Sequence, residues 1–126
     1  MRWPALALVV LSISGCALPP APSPGLMDVA ERPAEKALLG GMRAYDDGQY
    51  VQAEAQLKQA LATGLAAPRD RAAARKYLAF IYCTSQRVPA CEAGFRAARR
   101  DDPAFALTRA EAGHPLWGPV WLKSRD

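Results

Sequence analysis

Three cysteines and one histidine are the side chains of this 126-residue sequence best suited to covalent bonding, metal ligation or nucleophilic attack. Cys16 has the most distinctive surroundings. Arg2 forms a short positive region, Trp3 to Ile13 an apolar run, and Ser14-Gly15 supply the small residues a signal peptidase requires. The run is shorter than the roughly 18 apolar residues that a membrane-spanning helix needs. A thiol directly after the small pair stands where an exported chain would be cut.

The segment Leu11-Ser12-Ile13-Ser14-Gly15-Cys16 resembles the lipobox of bacterial lipoproteins. That resemblance implies a diacylglycerol thioether on Cys16, cleavage before it and acylation of the new amine. An ordinary secretory signal with an incidental cysteine is the alternative. Each acyl chain contributes on the order of 0.8 kcal/mol per buried methylene, so three would hold the protein on a bilayer almost permanently. Ala17 is not the aspartate that marks inner-membrane retention in enterobacterial lipoproteins. The expected location is therefore the periplasmic face of the outer membrane. The acyl groups on Cys16 are the only prosthetic group expected, with no other cofactor and no metal.

Cleavage before Cys16 would leave 111 of the 126 residues, enough for one domain. The formal charge of +4 falls to +3 when Arg2 is removed, too mild a surplus to define a nucleic-acid binder. With Cys16 consumed by lipid, Cys83 and Cys91 form an even pair in an oxidising compartment. Cys83 falls near the end of one predicted helix and Cys91 in the first turn of its antiparallel partner. Two such residues can reach the separation a disulfide requires, and closing that loop stabilises by roughly 2.5 kcal/mol in the chain-entropy picture. A zinc site is poorly supported, because the pair supplies two ligands and His114 is the one histidine. A Cys-His nucleophile is weaker still, since no third group is evident to orient it.

The elements that would position these residues follow from punctuation and periodicity. Residues 1–15 read as a signal peptide and residues 16–34 as the lipidated cysteine and a linker. That linker holds Pro19, Pro20, Pro22, Pro24 and Pro33, five of the chain's 11 prolines. Extended at roughly 3.1 Å per residue, it would reach on the order of 50 Å. Residues 35–126 read as a helical domain built on an internal repeat. Gly41, Tyr50, Ala53, Leu57, Ala60 and Leu65 match Ala79, Val88, Cys91, Phe95, Ala98 and Pro103, each pair 38 positions apart. The pattern resembles the 34-residue tetratricopeptide repeat, with extra residues in the loop from Thr63 to Arg69. Small residues (Gly41, Ala53, Ala60, Ala79, Cys91, Ala98) would let antiparallel helices approach. Larger ones (Tyr50, Leu57, Tyr82, Val88, Phe95) would fill the space between hairpins. Ala74, Tyr77, Leu78 and Ile81 recur with helical period. Asp47-Gly48-Gln49 and Gln86-Arg87-Val88-Pro89 read as turns, and Asp102-Pro103 as a stop.

Two repeats need a cap. Thr108 and Glu111 fit a capping box, and Gly113 suits the position just past a helix. The segment from His114 to Trp121 reads as non-helical, with Trp117, Val120 and Trp121 folded back on the second hairpin. The expected fold is all-α: two tetratricopeptide-like antiparallel hairpins and a C-terminal capping segment, behind a lipoprotein signal peptide and a proline-rich tether. In tetratricopeptide proteins the first helix of each unit lines a concave groove. Carried over by alignment, Leu38, Met42 and Tyr45 from the first unit and Lys76 and Phe80 from the second would line it here. An apolar floor with one cation suits an amphipathic helix or a segment bearing a carboxylate. Packing of these side chains on the tether or tail is the alternative. Arg96, Arg99 and Arg100, and Arg69, Arg71 and Arg75, form two further clusters that read as solvated faces, or as contacts for an acidic protein or anionic envelope polymer.

The lipobox, Tyr77-Leu78-Ala79-Phe80-Ile81-Tyr82-Cys83, Cys91-x3-Phe95-x2-Ala98 and the tail Gly113-His114-Pro115-Leu116-Trp117-Gly118-Pro119 together resemble the TssQ family of type VI secretion-associated tetratricopeptide lipoproteins of proteobacteria. That resemblance spans roughly Gly41 to Val120 plus the lipobox. It implies an accessory envelope protein with no catalytic residues. Its partners would be other envelope or secretion-apparatus proteins and the membrane, with no nucleic acid and no small-molecule substrate. A pilotin-like assembly lipoprotein for a secretin or pilus, and a peptidoglycan-associated structural lipoprotein, are the alternatives.

Overall fold

Four long helices form where the repeat and its punctuation place them. In the computed structural model they are α1 (Pro33–Asp46), α2 (Tyr50–Thr63), α3 (Pro68–Thr84) and α4 (Val88–Asp101), followed by the short α5 (Arg109–Ala112) and α6 (Gly118–Lys123). The structure describes Gly25, Asp28 and residues 32–126. The signal region, Cys16 and most of the proline-rich linker lie outside the described residues. Among the described residues there is no strand, and no helix is long and apolar enough to cross a membrane.

Proline sets several helix starts. Pro33 and Pro68 occupy the first turns of α1 and α3, and Pro89 that of α4, where a missing N–H costs nothing. Glu35 and Asp70 add negative charge to the first turns of α1 and α3. Pro33, expected in the tether, therefore opens α1 instead. A helix also overturns the expectation for the tail, because Gly118-Pro119 begin α6 rather than excluding one.

α1 packs on α2 and α3 on α4 as two helical hairpins. α3 also touches both α2 and α1, which stacks the second hairpin on the first. The small residues do what their size allows. Ala53, Ala60, Ala79, Cys91 and Ala98 are fully buried, and a Cβ on Gly41 would come within 2.7 Å of the Leu57 side chain. Leu57 and Phe95, 38 positions apart, are the centres of the two hairpins and are also fully buried. Burial of each side chain contributes roughly 1.5–3 kcal/mol. Tyr50 and Val88 do not fill the space between hairpins as expected. They are 48% and 46% exposed, because each begins its helix at the turn end of the hairpin, beyond the neighbouring helix.

The two interhelical turns share one backbone device. Gly48 has φ +73° and Gln86, its equivalent 38 positions on, has φ +62°. A side chain in the left-handed region costs roughly 1–2 kcal/mol, partly offset by the entropy glycine loses on folding. Gln86→Gly is therefore expected to raise stability by about 0.5–1 kcal/mol. An upward shift in chemical-denaturation midpoint at unchanged slope checks it; a lower midpoint would contradict it.

Candidate functional site

Helical spacing puts Leu38, Met42 and Tyr45 on one stripe of α1, and Lys76 and Phe80 on one stripe of α3. The contact between α1 and α3 brings the two stripes together. Tyr45 sits at their meeting point, with its ring 5.0 Å from Tyr77, 5.4 Å from Tyr50 and 6.3 Å from Phe80. Burial, with Tyr50 and Tyr77 beside it, pushes the Tyr45 hydroxyl up to about 12, so it remains a neutral phenol. Leu38 is buried in the first-hairpin core, and Met42 packs partly buried on it.

The α3 half of this face is closed by the chain's own tail, which corrects the expected open groove. Phe80 is 3% exposed because Trp117 stacks on it with ring centroids 4.2 Å apart. Lys76 donates to Glu111 Oε1 at 2.7 Å and lies 5.0 Å and 5.7 Å from the Tyr77 and Phe80 ring centroids. The carboxylate and the large apolar group expected of a partner are thus supplied by α5 and the residues after it. Two stacked hairpins leave a bare aromatic face, and the nearest apolar segment in the chain covers it.

Glu111 organises that closure. Its amide donates to the Thr108 hydroxyl and its carboxylate accepts the Thr108 amide, completing the capping box. Its backbone carbonyl accepts the Trp117 indole N–H at 2.8 Å. Burial alone would raise its pKa. The hydrogen bonds from Lys76 and Thr108 outweigh burial and hold the carboxyl below its ordinary value. His114 stacks on the Trp117 ring at 3.4 Å, nearly parallel, and its Nδ1 accepts the Leu116 amide. Gly118 passes so close to α5 that a Cβ there would lie 2.5 Å from the Ala112 carbonyl. Trp121 completes the cover, edge-on to Phe95 and Phe105 at 5.5 Å and 5.6 Å. Gly113 has φ −81° and is not the left-handed terminus its position suggests.

Cys83 and Cys91 are joined, with S–S 2.04 Å and Cα atoms 5.2 Å apart. The bond ties the end of α3 to the first turn of α4. Among the described residues no group of three or more His, Cys, Asp or Glu is placed to hold a metal. A recess of about 600 Å³ on the first hairpin is lined by Lys36, Arg43, Gln56 and Gln59, without a carboxylate, thiol or hydroxyl.

The arginine clusters divide by role. Arg71 and Arg75 are not a free solvated face. Both bind Asp101 at the end of α4, and Arg71 also donates to the Leu65 and Ala66 carbonyls. Antiparallel pairing brings the start of α3 beside the end of α4, a proximity the one-dimensional run hides. Arg96, Arg99 and Arg100 remain near the surface on α4, where Arg96 pairs with Glu92 on the next turn. Arg87, in the second turn, forks onto Glu54 of α2 at 2.7 and 3.1 Å, and Lys58 joins it at 2.6 Å.

The Arg87 hydrogen bonds hold the Glu54 carboxyl down at about 2, against an ordinary value of 4.5. A lowered folded-state pKa stabilises the fold above the unfolded value, and that contribution is lost as pH falls through the folded value. Glu54→Gln is expected to melt below the parent at pH 7, with the two melting curves converging as pH falls from 5 toward 2. A gap independent of pH would contradict this.

Comparison with protein-family models, with curated proteins and with solved structures yields no match to this chain.

Proposed function

We propose that the chain is an envelope-anchored adaptor lipoprotein of the tetratricopeptide type. It is held to the outer membrane by acyl chains on Cys16 and acts as an accessory component of a type VI secretion system through protein–protein contact. The observation that supports this most is the stacking of two hairpins with structurally equivalent centres at Leu57 and Phe95. A stack of that kind presents side chains from first helices on one face, a geometry suited to docking. The lipobox-like segment and the proline-rich linker supply attachment and reach. The disulfide adds rigidity suited to an oxidising compartment.

The partner surface in this reading is the α1 edge beside the tail, where Met42 and Tyr45 remain partly exposed. Phe80 lies beneath Trp117 and is unsuited to direct contact, and Phe80→Asp would bury a carboxylate in the core. Affinity purification of the full chain after crosslinking in its own bacterium tests the proposal. Recovery of secretion-apparatus envelope subunits is expected, lost in Met42→Asp while the variant still melts cooperatively. Recovery of secretin or pilus subunits would favour a pilotin-like role, and recovery of no envelope protein would overturn the adaptor reading.

A further inference from the structure

The chain's positive surplus is concentrated on one face. α6 packs on α4, and the Arg99 guanidinium reaches the Ser124 carbonyl. That contact brings Lys123 and Arg125 beside Arg96, Arg99 and Arg100. Glu92 accepts both Arg96 at 2.7 Å and Lys123 at 3.1 Å, which fastens the two helices together. A concave surface of about 390 Å³ lies among Arg96, Arg99, Arg100 and Arg125, with Asp126 at its edge. The face holds five of the chain's 16 basic residues and two of its 12 acidic ones, Glu92 and Asp126. The remainder of the chain is close to neutral. Arg100 and Arg125 are exposed, and neither side chain makes a hydrogen bond or ion pair among the described residues.

Charge alone would suit any polyanion. The apolar residue set among these cations narrows the choice. Leu122 is 59% exposed and shares a surface depression with Arg99, Lys123 and Arg125. A soluble or polymeric anion gains nothing from an exposed leucine. A bilayer does, because the leucine can enter the acyl boundary while the guanidinium and ammonium groups remain with the phosphates. We propose that the end of α4 and α6 form a membrane-facing surface. Arg99, Arg100, Lys123 and Arg125 contact anionic phospholipid headgroups and Leu122 inserts between them. This surface would lay the helical domain against the bilayer instead of leaving it at the full reach of its linker. It stands on the charge and exposure of α4 and α6 and does not require lipid on Cys16.

Full-length Cys16→Ser protein, which cannot be acylated at that position, tests the surface separately from the anchor. Co-sedimentation is measured with phosphatidylcholine vesicles and with vesicles containing about a third phosphatidylglycerol. Arg2 gives the N-terminal run its own preference for anionic vesicles, so the surface is read from the difference between parent and variants, which share that run. Preference for the anionic vesicles by tenfold or more is expected, abolished in high salt. Arg100→Glu together with Arg125→Glu should lower affinity for the anionic vesicles on the order of a hundredfold, while Arg→Lys at both sites retains it. Leu122→Gln, which removes the apolar group without adding charge, should weaken vesicle binding severalfold but leave retention on soluble polyphosphate unchanged. Circular dichroism melts of all variants check that the fold is intact. Equal binding to both vesicle types overturns the proposal. Vesicle binding indifferent to Leu122→Gln also overturns it, in favour of a polyanion site.

Discussion

Trp117→Ala is expected to lower the stability of the helical domain by about 3–5 kcal/mol, the range for removing a buried aromatic from a core. Trp117 lies at the centre of the closure. It stacks on Phe80, carries His114 on its ring, and donates its indole N–H to the Glu111 carbonyl. Truncation leaves Phe80 bare and the part-buried Glu111 carbonyl with the His114 amide as its remaining donor. A domain of this size has about 5–15 kcal/mol of total stability, so the loss is a large fraction of it. Trp117→Phe separates the contributions. It keeps an aromatic stack, loses the hydrogen bond, and is expected to cost about 1 kcal/mol from that bond plus part of the packing. Urea denaturation followed by near-ultraviolet circular dichroism checks both. A Trp117→Ala variant as stable as the parent would show that the tail rests on the hairpins without contributing to the core. Deletion of everything after Ala106, which removes Glu111, Trp117 and Trp121 together, should leave no cooperative transition at all.

Reduction of Cys83–Cys91 is expected to cost about 2.5 kcal/mol through the entropy restored to the unfolded chain. The bond closes the α3–α4 turn, the same turn that holds Gln86 with a positive φ. Cys91 is fully buried and Cys83 nearly so, so thiols would remain packed where the sulfurs now lie. Reduction therefore isolates the crosslink better than Cys91→Ala, which would add a cavity. Melting with and without a thiol reductant, on protein whose oxidation state is fixed by intact mass, measures the difference. An unchanged midpoint would contradict this and mean that residual structure already restricts the turn in the reduced, unfolded chain.

The hairpins were readable because size and punctuation repeat at one interval. Gly48 and Gln86, Ala53 and Cys91, and Leu57 and Phe95 each hold equivalent places in space. Helix boundaries followed from proline and glycine chemistry, which acts locally and so survives in one dimension. The site was legible in its parts and not in its occupancy. Phe80 was expected to face a partner, and Trp117 was expected to seek cover on the second hairpin. These are two statements about one surface, with packing on the tail open as the alternative, and the fold decides between them. Lys76 and Glu111 stand 35 positions apart, and Arg75 and Asp101 stand 26 apart. No periodicity links such pairs, since their proximity comes from antiparallel packing and from the fold-back of the tail. The tail helix was missed for a different reason. Gly118 and Pro119 read as breakers in mid-segment, yet at a first turn neither opposes helix formation, and Gly118 is needed for the approach to Ala112.

The proposed function requires attachment to the envelope, and acylation of Cys16 is the chemical step that would provide it. Metabolic labelling with radioactive palmitate, followed by membrane fractionation, measures it in one experiment. The account predicts a labelled protein in the outer-membrane fraction, with the label lost in Cys16→Ser. An unlabelled parent protein recovered from the soluble fraction would contradict it.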